Sequence, residues 1–152
     1  MSTPPQHHIA HPVLDGDAMS AWLGVRLAEA SYGRAVCEMT LREDQVNGFG
    51  IGHGGVVFAF ADTAFAMACN DLDGDGSTVT VAAGADITFL RPARVGDLLR
   101  ARAQEVHRGR SGLYDIRVVR VLPDGSDGEV IAEFRGRSRA IPGAAVPHPR
   151  QD

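Results

Sequence analysis

Apolar positions along this chain change their spacing several times, and each change marks an element. In "VRLAEASYGRAVCEMTLR" apolar and polar residues alternate on either side of Gly33, the period of two strands joined by a tight turn. From Gly54 to Cys69 the alternation gives way to a run made mostly of Val, Phe, Ala and Met with no Gly or Pro after Gly55, which predicts a helix buried on most of its sides. Four further strand-like runs follow: "STVTVAAGADITFLRPA", "LLRARAQEVHRGR", "LYDIRVVRVLP" and "EVIAEFRGRSRAI". Their separators, "RVGD", "GRSG" and "DGSDG", are too short for crossover helices and suit antiparallel neighbours. Upstream, "DGDAMSAWLGV" offers Asp15 or Asp17 as the N-cap of a short helix. The pattern predicts an α+β domain, one long helix wrapped by an antiparallel sheet.

Length and composition narrow the class. A chain of 152 residues makes one ordinary domain, expected over 15–141 with tails at 1–14 and 142–152. Two cysteines without motif spacing, Cys37 and Cys69, read as packing residues in a reducing, cytoplasmic setting. The start, "MSTPPQHHIAHPVL", lacks the cationic and apolar regions of a signal peptide, and His7, His8 and His11 within it are assigned no specific role. Net charge is −4, but residues 1–90 carry three arginines against eleven acids, and residues 91–152 twelve against eight. The overall acidity argues against nucleic acid as a partner. The arginines of the second half read as a solvated strand face, with an anionic ligand as the other use. No apolar run is long enough to span a bilayer.

Candidate chemistry gathers in "NGFGIGHGGVVFAFADTAFAMACN", Asn47 to Asn70. Gly50, Gly52 and Gly55 satisfy G-x-G-x-x-G, but the charged, turn-like "REDQVNGF" precedes them where a dinucleotide site needs an apolar parallel strand, so that reading is set aside. "DLDGDGS" lacks the Glu that a calcium loop needs at its twelfth position, which is Ala82. The glycines at 54 and 55 open a helix N-terminus, whose unpaired N–H groups favour an oxyanion or a polarised carbonyl. Two turns on, Asp62 is the one charge in an apolar stretch. Burial there raises its proton affinity, and such a group is either paired to an arginine or poised as base or nucleophile.

These residues closely resemble the signature of hotdog-fold acyl-CoA thioesterases, in particular the PaaI type associated with phenylacetate degradation. The likeness continues through "DITFLRPARVGDLLRARAQEVHRGRSGLYDIRVVR" and "FRGRSRAI", from about residue 20 to 141. It implies a five- or six-stranded antiparallel sheet curled around the long helix, a dimer with a continuous sheet, assembly into tetramers, and an active site shared between subunits. By position it implies that the Gly54 N–H polarises the thioester carbonyl, that Asn47 helps hold that carbonyl or the attacking water, and that Asp62 of the facing subunit is the catalytic carboxylate. His53 would lie near the thioester, Thr80 would assist the water, and Arg91, Arg110 and Ser111 would meet coenzyme A. Phe58 and Phe65 would wall the acyl pocket. Coenzyme A enters as part of the substrate; no other cofactor and no metal is implied.

Other residues are read structurally. Asp86 is expected to pair with an arginine, His107 and Tyr114 to lie at the surface or an interface, and Trp22 to be core on a short helix bordering an acyl pocket. A dehydratase acting on 3-hydroxyacyl thioesters and a non-catalytic acyl-CoA sensing domain are the alternative functions.

Overall fold

A computed structural model describes residues 8–147. Helix α1 (Ala18–Leu23) is followed by strands β1 (Arg26–Ser31) and β2 (Arg34–Thr40), a 3₁₀ turn at Glu43–Gln45, and helix α2 (Gly54–Cys69). Strands β3 (Thr78–Phe89), β4 (Leu98–His107), β5 (Ser111–Val121) and β6 (Asp127–Pro142) complete the domain. The six strands form one antiparallel sheet in the order β1-β2-β4-β5-β6-β3. The predicted helix limits hold, and so do the antiparallel hairpins β1–β2, β4–β5 and β5–β6. The "RVGD" separator does not make one, because β3 pairs with β6 at the sheet edge while β4 lies between β2 and β5, so that short connection crosses the sheet.

Helix α2 lies across the concave side of this sheet. Phe60, Phe65, Met67 and Ala64 on the helix meet Leu99, Ala101, Ile116, Val118 and Phe134 from the strands, all buried. Phe65 packs against the backbone of Gly136, where an added Cβ would fall 2.7–2.9 Å from three of its ring atoms. Tyr114 and Phe134 flank it with ring centroids at 5.4 and 6.0 Å. Tyr114 is therefore core, contrary to the surface or interface position expected: on β5 the alternation turns Gly112, Tyr114, Ile116 and Val118 inward together. Phe65, expected to wall a substrate pocket, is also a core side chain, because its face of α2 is the one pressed on the sheet.

The outer sheet face carries the arginines expected there, most of them answered by acids. Glu38 sits between Arg26 and Arg100, Asp127 between Arg100 and Arg102, and Asp97 and Glu129 both meet Arg120. Arg117–Glu133, Arg135–Asp115 and Arg137–Asp86 span neighbouring strands, the last as expected for Asp86. Such pairs each contribute little net stability; the core carries the fold.

The chain is tied down outside the limits of 15 and 141. The Ile9 N–H donates to Leu27 O, and β6 runs to Pro142 before a 3₁₀ turn at Gly143–Ala145. His11, given no role from sequence, is buried: its Nε2 donates to Asn70 O (3.2 Å) and its Nδ1 accepts the Val13 N–H (3.1 Å). Burial lowers its pKa. His7 lies outside the described residues. Among those residues no helix is long and apolar enough to cross a membrane.

Candidate active site

The segment from Asn47 to Gly55 is held by a run of hydrogen bonds that ends at one open donor. The Asn47 N–H donates to Ile51 O (2.8 Å), and the Gly50 N–H returns to Asn47 O (3.0 Å) with Gly50 at φ 75°, a conformation glycine adopts without strain. The Asn47 Oδ1 accepts from the Phe49 N–H (2.9 Å) and the Ile51 N–H (3.4 Å). That fixes the amide, leaving Nδ2 as a donor with no partner among the described residues. Next, the Gly52 N–H reaches Ala93 O (2.8 Å) and the His53 N–H reaches Gln45 O (2.9 Å). His53 is the N-cap of α2, and its Nδ1 accepts the Gly55 N–H at 2.9 Å. The N–H groups of Val56 and Val57 go to His53 O. Gly54 alone in this first turn has an N–H without an acceptor among the described residues.

Gly54 lines a cavity of about 390 Å³ together with Asn47, Val57, Phe89, Leu90 and Arg91, among others. The absence of a Cβ at Gly54 keeps it open, since one would stand 3.2 Å from Phe89 Cζ. An unpaired N–H at the positive end of a helix, beside a fixed amide donor, suits an oxygen that gains negative charge during reaction. Arg91, exposed at the rim, pairs loosely with Glu129 (3.4 Å).

Asp62 stands eight residues further along, about 12 Å down the helix axis at 1.5 Å per residue. It lies on the side of α2 turned from the sheet, in line with Ala59 and Ala66, neither of them fully buried. Its carboxylate has no hydrogen bond or ion pair among the described residues, so the arginine partner that would have made it structural is absent there. Burial, and then the nearby Asp17 carboxylate, raise its pKa. Phe58, one turn before it, is partly exposed and packs edge-on to Phe134 at 5.2 Å.

The remaining expected site residues lie at the other end of the domain. Thr80 pairs with Ala140 on β6, and its backbone N–H and carbonyl both bond the side chain of Asn70 at the C-terminal end of α2. Ser111 pairs with Arg139, and the Arg110 carbonyl accepts the Ala140 N–H. Within one chain, then, Asn47, His53, Gly54 and Arg91 are brought together, Thr80, Arg110 and Ser111 form a second group, and Asp62 stands between. Phe65 joins neither. Gln45 was missed from sequence, although it is buried and orients the helix start: its carbonyl takes the His53 N–H and its Oε1 accepts the Arg42 N–H (2.9 Å). The Arg42-to-Gln45 spacing of a helical cap was the available signal. Among the described residues no three His, Cys, Asp or Glu side chains group as metal ligands would.

Comparison with known proteins gives the family and the fold. Residues 49–120 match the family model described as "Thioesterase superfamily". The chain is 39% identical over 135 residues to the acyl-coenzyme A thioesterase PaaI of Escherichia coli, an alignment covering 88% of this chain and 90% of that protein. The solved structure of the E. coli PaaI protein from the phenylacetic acid degradation operon superposes with a TM-score of 0.75 at 38% identity, covering 85% of this chain and 88% of the other. A mutant of the phenylacetic acid degradation protein PaaI from Thermus thermophilus does so with a TM-score of 0.69 at 31% identity, covering 80% and 97%. The hotdog architecture expected from the sequence is thus present, with six strands. This chain belongs to the thioesterase superfamily and is of the PaaI type.

Proposed function

We propose that this protein hydrolyses acyl-CoA thioesters, arylacetyl-CoA of the phenylacetyl or hydroxyphenylacetyl kind foremost, to free acid and coenzyme A. The observation that carries the reading is the Gly54 N–H, without an acceptor among the described residues at a cavity that the pinned Asn47 also lines. The names of the PaaI relatives support the substrate class. In this reading the carbonyl oxygen accepts from Gly54 N–H and Asn47 Nδ2. Water attacks the carbonyl carbon while a carboxylate takes its proton, the C–S bond breaks, and coenzyme A leaves as thiolate. An alternative first step has the carboxylate attack directly, with water then cleaving the anhydride.

Asp62 of the same chain stands about 12 Å along the axis from that carbonyl site, too far to serve it. A second copy answers this. Strand β3 is an edge strand of twelve residues, and a two-fold partner pairing along it would carry the partner's half-helix toward this chain's Gly54. The same operation would bring the Thr80, Arg110 and Ser111 end of one subunit to the Asn47, His53 and Arg91 end of the other, for the water and the coenzyme A phosphates.

The test is release of free thiol from phenylacetyl-, hydroxyphenylacetyl-, benzoyl-, short- and long-chain acyl-CoA by wild type and Asp62→Asn, with mass in solution measured alongside. General-base help is worth about 10²–10⁴ in rate, and Asp62→Asn should lose that. Wild-type turnover in the variant would remove Asp62 from the mechanism. Enoyl product in place of thiol, or tight binding without release, would favour the dehydratase or sensing function instead.

A further inference from the structure

Helix α1 leaves two large apolar side chains in the open and spends its bonds on holding them still. Of its six residues only Ser20 and Leu23 are buried. The Ser20 Oγ bonds Thr63 Oγ1 on α2 at 2.9 Å, Arg42 Nη2 donates to Trp22 O (2.7 Å), and Gln45 Nε2 donates to Leu23 O (3.4 Å). Met19 and Trp22 remain 55% and 45% exposed, so Trp22 is not the core residue the sequence suggested. The Arg42 guanidinium lies 5.4 Å from the Trp22 ring centroid, a cation–π contact that holds the indole.

Across from them run Val46, Val56 and Ala59, and the space enclosed is about 320 Å³, within the size range of small-molecule sites. No side chain from α2 fills it because residue 59 is alanine. His53 and Gly55 also line it. Residues 53–55 therefore separate two cavities, this apolar one and the one bearing Asn47 and Arg91, with the open Gly54 N–H between them. A thioester with its carbonyl on that N–H has one arm for each side. The arm bearing coenzyme A matches the cavity with the arginine rim, and the acyl arm matches the groove. His53 Nδ1 accepts a hydrogen bond, so its Nε2 carries the hydrogen and gives the groove a donor at its mouth.

We propose that the groove between α1 and the start of α2 is the acyl-binding chamber, and that Trp22 selects uncharged aromatic acyl groups over small aliphatic ones; this rests on the thioesterase reading above. An aromatic ring finds an indole face, a methionine thioether and an alanine floor there, and an acetyl group contacts little of it. A carboxylated acyl chain would have to give up its hydration against these largely apolar walls, and is disfavoured on that ground; the Asp44 carboxylate is already paired with Arg42 (3.0 Å).

The test compares kcat/KM for phenylacetyl-CoA and acetyl-CoA in wild type, Trp22→Ala, Trp22→Phe and Met19→Ala. The ratio should fall about 10-fold or more in Trp22→Ala and be largely retained in Trp22→Phe. An unchanged ratio in Trp22→Ala would overturn the proposal while leaving thioester hydrolysis intact. A direct readout needs no groove variant, because Trp22 is the one tryptophan in the chain. In Asp62→Asn, phenylacetyl-CoA should shift tryptophan emission and coenzyme A alone should not. Equal responses, or a bound phenylacetyl-CoA that leaves emission unchanged, would place the acyl group elsewhere. Absence of thiol release from every substrate in wild type would instead count against the parent reading.

Discussion

Replacing Gly54 by alanine should separate the fold from the chemistry. The new Cβ would stand 3.2 Å from Phe89 Cζ, tighter than ordinary contact by a few tenths of an ångström, and at ordinary contact distances of 3.5 and 3.7 Å from two further ring atoms. Phe89 is 51% exposed, so its ring can give way toward solvent. Gly54 has no positive φ, and alanine favours helix over glycine by up to about 1 kcal/mol. The two effects oppose each other. Stability should change by less than about 1 kcal/mol, a shift in Tm of no more than about 4 °C for a chain of this size. The catalytic consequence is larger. An oxyanion must come within about 2.7–3.1 Å of its donor, and the methyl group would occupy the cavity side of that approach. Losing one such donor costs about 10²–10³ in kcat. Thiol release and thermal melts on the same sample decide the matter. A folded variant with wild-type kcat/KM would refute the role of the Gly54 N–H. A rate loss accompanied by a drop in Tm beyond about 10 °C would show unfolding, not chemistry.

Other substitutions probe separate links of the same argument. Asp62→Asn should raise stability at neutral pH. Burial and Asp17 raise the folded-state pKa, so the folded chain loses stability as pH climbs from the unfolded carboxylate value, about 3.9, through the folded one, at about 1.4 kcal/mol per tenfold difference in proton affinity. The gain should vanish below about pH 4 in melts of both proteins; destabilisation at neutral pH would mean that the carboxylate has a native partner. Asn47→Asp keeps the Oδ1 acceptor of the Phe49 and Ile51 N–H groups but removes the Nδ2 donor, so it should melt like wild type and lose roughly 10-fold or more in rate. Full activity would show that the amide serves the loop alone. Gly136→Ala drives a Cβ into the Phe65 ring, which Tyr114 and Phe134 flank, and should cost about 1–3 kcal/mol in urea unfolding. An unchanged midpoint would show that the ring has room to move.

Much of this molecule is legible locally. The limits of α2, the β1–β2 turn at Gly33 and the antiparallel pairing of β4 through β6 follow from the period of apolar residues and the brevity of the connections, which act over a few residues at a time. Asp62 also declared itself, because one charge in an apolar helix needs either a partner or a use.

Which way a side chain faces was decided by the assembled sheet. Tyr114 went inward because its strand register aligned it with Ile116 and Val118, and Trp22 stayed out because Leu23 and Ser20 already satisfied the contact between α1 and α2. The open Gly54 N–H could not be read from the glycines either. It is a remainder, left after Gln45 and Ala93 had taken the donors before it and His53 those after it, and one of those acceptors, Ala93, lies well away in sequence. Likewise the sequence assembled one list of site residues, whereas one helix length parted Gly54 and Asn47 from Thr80, Arg110 and Ser111. Sequence by itself determined the elements and the chemistry available, because both are set by local composition and spacing. Only the tertiary structure decided which donors stay open and which residues meet, because hydrogen-bond satisfaction and distance are properties of the whole packed chain.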